Sequence, residues 1–305
     1  MNHAMKTIFK ITFVIFSLIL SKSIYAQNDD SSEWSFSILF GVHQPSLKSL
    51  NQGLFKSPVA GSGGIIIDPV TEETEERDFV YQNDLPDSQV GGKAAFELQW
   101  HANPRHSLLF GMGSWERTSV AQQYVDIPSQ GAMNKADYER RAKITYTEYS
   151  LGWNYHFWRK PKYAFYLRSS IHQVFDIDYR EDHVFSYISG SGLEGFERIR
   201  ILEAQTAALF MGQLALGTQW YFAKWFSIAM EAGYLRGERS IQLRDAKEKT
   251  NFIARDDVNF DLPYKELADG SIGYMSSDTD GNPTYSRMKL DFSGWQLLFR
   301  INIHY

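Results

Sequence analysis

The residues with the widest chemical range fall into a few groups. His183 and Ser186 lie close together, with Asp176 and Asp178 just upstream. That set holds a base, a hydroxyl and orienting carboxylates, the parts a hydrolase needs when the base sits beside its nucleophile or water. Nothing in the spacing orders them, because acids, serines and histidines also co-occur by chance in polar loops. His101, His156 and His304, with His106 nearby, would suit a transition metal if their imidazoles converged. No local ligand spacing supports convergence, and the expectation is polar rim residues with no metal. Asp278-Thr279-Asp280-Gly281-Asn282 resembles a calcium loop but fails it. Pro283 stands where the sharp turn needs glycine, and Lys289 stands where a bidentate glutamate is required. An Asp-Gly turn is the simpler reading. Gly61-Ser62-Gly63-Gly64 has no strand and helix around it to form a phosphate cradle. No catalytic residue, cofactor or metal is therefore assigned.

A second set of polar residues is more informative, because it recurs on one side of alternating segments. Eight stretches show a period of two: residues 33–43, 91–102, 107–119, 143–158, 163–175, 206–222, 225–236 and 288–305. Such a period is a strand with one apolar and one wet face. Each stretch reaches the ~9–11 residues with which a tilted strand crosses a bilayer. In the fourth, Thr145, Thr147, Tyr149, Leu151, Trp153, Tyr155 and Phe157 oppose Tyr146, Glu148, Ser150, Gly152, Asn154 and His156. A lysine or arginine facing lipid at mid-depth costs about 2–4 kcal/mol, so charges must take the inner face. That face then carries Lys93, Glu97, Glu148, Arg168, Glu231 and Arg300. Buried charges persist when paired, and Glu231 with Arg300, on neighbouring strands, is the expected pair. The last stretch changes phase near Ser293-Gly294, which reads as a bulge.

The connections alternate. Three are short: Asn103-Pro104-Arg105-His106, Arg159-Lys160-Pro161-Lys162 and Ala223-Lys224. Four are long, at about residues 44–90, 120–142, 176–205 and 237–287. Short turns on one side and long loops on the other are the asymmetry of membrane barrels. Trp100, Trp153, Tyr155, Phe157, Tyr163, Trp220, Phe222 and Phe226 gather near the short turns, as rings at a headgroup boundary would. The first long connection holds eight acidic residues against three basic ones, and its Glu72–Asp78 run reads as a solvated face.

The two ends of the chain agree with this. Phe299-Arg300-Ile301-Asn302-Ile303-His304-Tyr305 alternates strictly and finishes on an aromatic. It resembles the carboxy-terminal signal of bacterial outer-membrane β-barrels, with Phe299, Ile301, Ile303 and Tyr305 as the assembly signal. The resemblance implies recognition by barrel-assembly machinery and insertion into the outer membrane. Lys6 and Lys10, the apolar run 11–20 and the small residue Ala26 read as a signal peptide over residues 1–26. The chain has no cysteine, which removes disulfides, thiolate metal sites and a lipid-anchored cysteine. A net charge of -5 argues against nucleic acid as a partner. Aromatics make up 15% of residues, and no later apolar run approaches a spanning helix.

The fold class expected is all-β: a closed antiparallel up-and-down transmembrane barrel of eight strands. Ten or twelve are the alternatives if the first and fourth long loops hide hairpins, for example 64–69 with 78–81. The pattern resembles small outer-membrane barrels of the OmpA and OmpX type. Eight strands leave a bore that side chains can fill. The expected role is structural or adhesive, with a plugged lumen, loops for a surface ligand, and outer-membrane lipid and lipopolysaccharide as neighbours. The alternatives are an enzyme (lipid A modification or an omptin-like protease, whose paired acidic and Asp-His motifs are not matched) and a narrow channel for small solutes.

Overall fold

The computed structural model describes residues 33–55, 59–67, 74–81, 90–129, 132–188, 194–195, 197–237, 241–242, 244–250, 264–277 and 283–305. Residues 1–26, read above as a signal peptide, the 278–282 turn and part of the acidic first loop lie outside them. Nine long strands are labelled in chain order: β1 Trp34–Pro45, β2 Gly91–Asn103, β3 His106–Ser129, β4 Ala132–Arg159, β5 Tyr163–Tyr187, β6 Glu197–Thr206, β7 Leu209–Ala223, β8 Phe226–Gly237 and β9 Gly294–His304.

Antiparallel pairing runs from β1 through β2, β3, β4, β5, β7, β8 and β9, and β9 pairs back onto β1. Eight strands therefore close a ring with no edge. The registers match parity strand by strand: Glu97 faces Ser37 across one ladder and Gly111 across the next, while Arg300 faces Leu39 and Ala229. One face of every ring strand is buried and the other exposed. Burial alternates residue by residue through most of β2 and β9, as the pleat dictates.

The outward face is apolar. Phe110, Leu151, Ile171, Phe210, Leu214, Leu216 and Trp295 are all more than half exposed. The inward face is polar through the middle of the ring and apolar at the end away from the short turns. There Trp115, Tyr146 and Phe292 form a tight aromatic group, with ring centroids 5.1–5.8 Å apart. Leu47, Leu50, Phe55, Met211, Leu235, Ile272, Met288 and Leu290 pack around it. This apolar cap closes the far mouth with side chains from the ring and from the connections after β1 and before β9. A short π-helical turn, Leu50–Leu54, presents Leu50 to it, and the backbone N–H of Phe55 bonds the Leu50 carbonyl at 2.8 Å.

Several sequence expectations change here. Residues 120–142 and 176–205 are not simply loops. β3 and β4 continue as one hairpin to Ser129 and Ala132, and β5 runs on to Tyr187, where β6 pairs with its outer half. Arg244–Thr250 pairs with β6 in turn, so a sheet rises beyond one side of the ring. These stretches keep the period of two but replace outward apolar residues with charged ones, such as Glu139, Arg141 and Arg180. A search for greasy faces therefore stops where the outward surface turns wet. At 288–294 the phase change is an interruption, not a bulge within one strand. Met288, Leu290 and Phe292 point into the cap, Asp291–Ser293 breaks the strand, and β9 restarts at Gly294 with Trp295 outward. Asp291 holds the break by accepting a bond from the Ser293 N–H at 2.9 Å. Val59–Ile67 and Thr74–Tyr81 pair as a separate hairpin outside the ring.

Phe292 is fully buried between two rings, so Phe292→Ala leaves a cavity. The expected loss is about 3–5 kcal/mol of unfolding free energy by denaturant titration. A loss under about 1 kcal/mol would mean that the cap contributes little.

Candidate functional site

The middle of the ring interior is built from charged residues that strand parity turns inward. β2 supplies Lys93 and Glu97, β4 Glu148, β5 Arg168, β8 Glu231 and β9 Arg300, and all six are nearly fully buried. Four of them form one knot. Arg168 donates Nη1 to Glu97 Oε2 at 3.1 Å, and its Nη2 grips the other Glu97 oxygen. Arg300 Nη2 lies 3.1 Å from both Glu97 Oε2 and Glu231 Oε2. Arg168 Nη1 stands 3.5 Å from Glu231, and the Tyr166 hydroxyl donates to the same carboxylate at 3.3 Å. Two acids and two guanidinium groups thus alternate, so no charge is left without an opposite neighbour. Glu231 and Arg300 meet, but Arg168 with Glu97 makes the two-armed contact, a pairing across non-adjacent strands that strand order alone does not suggest.

The other pair is Lys93 and Glu148, with Nζ 2.6 Å from Oε1. It joins the knot through His172 and Gln213. His172 Nδ1 is 3.2 Å from Glu148 Oε2, and its Nε2 is 2.6 Å from Gln213 Oε1. Gln213 then donates Nε2 to Glu231 Oε1 at 2.9 Å. One connected polar network therefore runs from beneath the apolar cap to the centre of the ring. Small inward residues make room for it. A Cβ at Gly217 would strike the Tyr166 ring, which needs that space to reach Glu231.

Towards the short turns the interior holds neutral polar groups. Asn302 accepts from Ser37 Oγ at 2.7 Å and donates to Ser227 Oγ at 3.0 Å, and Ser227 meets His304 Nε2 at 2.8 Å. His101 and His304 have ring centroids 6.1 Å apart, and the two nitrogens of His101 are occupied by Ser35 and Ser107. His106 leaves this group and stacks with Trp153 and Tyr155. Among the described residues, no three His, Asp or Glu side chains converge as metal ligands.

The residues weighed as parts of a hydrolase, and not assigned as one, do not come together. His183 points inward on β5, whereas Ser186 has the opposite parity and donates to Glu197 at 3.4 Å. Asp176 sits in a left-handed backbone conformation, φ 50°, and Asp178 shares Ser186's side. His183 instead joins a buried group in the protruding sheet that the sequence reading missed. Its Nδ1 is 2.5 Å from the Tyr138 hydroxyl and its Nε2 3.1 Å from Glu181 Oε1. Arg140 Nε donates to Glu181 Oε1 at 2.5 Å, and Tyr179 to Oε2 at 2.6 Å. Continuing the parity of β4 and β5 past the apolar stretches would have brought these residues to one face. Burial alone would raise the Glu181 carboxyl; the Arg140 guanidinium and His183 outweigh it and hold it down at about 2.

On β9, Phe299 faces out and stacks on Phe40 at 6.0 Å, while Ile301 and Ile303 sit half-buried on the same side. The Tyr305 N–H bonds the Trp34 carbonyl at 2.9 Å, tying the chain's last residue to the start of β1.

No protein-family model matches the chain, and no curated protein matches it. Solved structures give distant likenesses. An outer membrane channel from Pseudomonas putida F1 is 9% identical, with 92% of this chain and 100% of that one covered, at a TM-score of 0.22. A deletion mutant of the TodX monoaromatic hydrocarbon channel is 8% identical over 90% and 91%, at 0.23. A FadL homologue from Pseudomonas aeruginosa is 8% identical over 89% and 90%, at 0.19. At these scores the function has to be argued from the chain's own residues.

Two outcomes follow from the charge arrangement. Arg168→Ala leaves Glu97 and Glu231 to share the single guanidinium of Arg300 and is expected to cost about 3–5 kcal/mol in denaturant unfolding; Arg168→Met with Glu97→Met should recover most of it. A double variant no better than the single one would contradict the pairing. Glu181 is depressed in the folded state, so its stabilisation is fully present above the ordinary carboxylate range and is lost as pH falls towards about 2. Glu181→Gln should flatten that part of the acid-unfolding curve relative to the parent.

Proposed function

We propose that the ring is a sealed β-barrel in the outer membrane of a Gram-negative bacterium, and that its protruding sheet serves structural or adhesive contact at the cell surface. The observation that carries this is the inversion of the ring: an apolar outside around a charge-paired inside. A water-soluble domain would not leave so many large apolar side chains exposed around its whole circumference. The band is bounded at both ends. Trp34, Trp100, Trp158, Trp220 and Trp225 ring the short-turn end, and all are exposed. At the other end Trp295 and Tyr234 meet edge to face at 5.2 Å, and above them outward residues become ion pairs such as Glu116–Lys143. About nine residues at ~3.3 Å rise, tilted by ~40°, make a band roughly 20–25 Å tall, close to the lipid-facing height of such barrels.

The interior supports a closed lumen. The Glu97–Arg168–Glu231–Arg300 knot fills the middle and the Trp115–Tyr146–Phe292 cap fills the far mouth. On this reading the short turns face the periplasm, β9 is the strand engaged by the assembly machinery, and lipopolysaccharide surrounds the outer end. A narrow channel would require both the knot and the cap to move.

Leu216 is 60% exposed at mid-band. Leu216→Arg should lower stability in lipid by about 2–4 kcal/mol, measured by reversible unfolding in vesicles. Protein that stays monodisperse without detergent, or that gives large steady conductance in planar bilayers, would overturn the sealed-barrel reading.

A further inference from the structure

The two ends of the band treat cations differently. Away from the short turns, outward basic residues are answered by acids: Lys143 lies 2.8 Å from Glu116, Arg141 2.6 Å from Glu139, and Arg180 2.8 Å from Asp182 and 3.2 Å from Glu203. At the short turns Arg105, Arg159, Lys160 and Lys162 are exposed. Among the described residues, no ion pair joins Arg105, Arg159, Lys160 or Lys162 to an acid. The one acidic side chain described in or directly beside these turns is Glu33. Among the described residues, one end of a chain with a net charge of -5 thus gathers a collar of four exposed basic side chains that no ion pair engages, with Glu33 beside them.

The collar is also placed with care. Arg159 donates Nη1 to the Pro104 carbonyl at 3.1 Å and lies over the Tyr221 ring at 5.4 Å, which ties it to the first turn and to β7. Trp158, next to it, stacks on Phe165 at 5.2 Å, and Trp220 and Trp225 are exposed nearby. Exposed tryptophans at the edge of an apolar band mark the headgroup level of a bilayer. Cations at that level reach the phosphates, not bulk water.

We infer that the short-turn rim is a docking collar for anionic phospholipid headgroups in the leaflet it faces. This rests on the proposal that the band lies in a bilayer. Each Lys or Arg near an anionic surface contributes about 1 kcal/mol, equivalent to roughly fivefold in binding, and the effect fades within a Debye length. Such a collar fixes the depth and tilt of the barrel from one side, without any contact between protein segments.

The test uses purified full-length protein in nanodiscs of phosphatidylcholine alone or mixed with phosphatidylglycerol. Retained lipid is read by native mass spectrometry, and insertion by protease protection. The protein should insert in both and retain phosphatidylglycerol over phosphatidylcholine by at least about fivefold, with the preference lost in 0.5 M salt. An R105Q/R159Q/K160Q/K162Q variant should bring the ratio close to one. K160Q/K162Q, which touches only exposed turn positions, should lower it part of the way and covers the case where losing Arg159 harms folding. Normal insertion with no anionic preference, or with a preference the variants leave unchanged, overturns the collar alone. Variant-sensitive binding of soluble polyglutamate without a lipid preference also overturns it, since the rim would then serve an acidic macromolecule. Failure to insert into either disc removes the membrane reading and the collar together.

Discussion

Charge compensation inside a narrow ring is the constraint on which the rest depends. Eight strands enclose a bore only a few side chains wide, and half of all ring residues must point into it. Glu97, Arg168, Glu231 and Arg300 answer that demand by sharing oxygens and guanidinium nitrogens, so that every charge borders its opposite. Any one of them alone would be a buried, unpaired ion costing several kcal/mol. The arrangement also fixes register: a one-residue slip of β9 would turn Arg300 outward and leave both glutamates short of a partner. Closure of the ring and neutrality of its interior are therefore one condition seen from two sides.

Much of this was legible in the chain. Alternation located the strands that form the ring, and the cost of a charge on an apolar face put Lys93, Glu97, Glu148, Arg168, Glu231 and Arg300 on the side where the structure places them. Partner choice was less legible. Parity says which face a residue takes but not how far a long guanidinium reaches, so Arg168 bridging to Glu97 across the bore could not be read from strand order. The cap was hidden for a different reason. Leu47, Leu50 and Phe55 come from a connection with no period of two, and their burial follows from long-range packing, not local pattern. The protruding sheet was missed because its alternation is between polar outside and mixed inside, a weaker contrast than grease against charge.

The interior changes chemistry along its axis. Hydroxyls and imidazoles at the short turns give way to ion pairs, and these to aromatic and aliphatic side chains at the cap. Each zone suits its depth. Groups near the open rim can exchange hydrogen bonds with water, while those at mid-depth need fixed opposite charges. The cap lies beyond the exposed band, where loops can fold over the mouth and bury ordinary apolar residues, as in a soluble core. The order fills the bore in two ways, with paired charges at its middle and with packed apolar side chains at its far end.

The unequal strand lengths extend the same logic outward. β3, β4 and β5 have 24, 28 and 25 residues, against 12 in β1 and β8 and 11 in β9. One flank thus rises well past the apolar band and has a core of its own. Arg140, Glu181, His183, Tyr138 and Tyr179 supply part of it, repeating above the band the device used within it: a carboxylate held by a guanidinium and hydroxyls in a fully enclosed setting. A rigid wall built this way can carry loops at a fixed height and angle, which flexible loops rising directly from the ring could not do. Outward ion pairs at one end and exposed basic side chains at the short turns give the molecule a direction. That asymmetry follows from side chains placed by strand parity and turn composition, with no element dedicated to it.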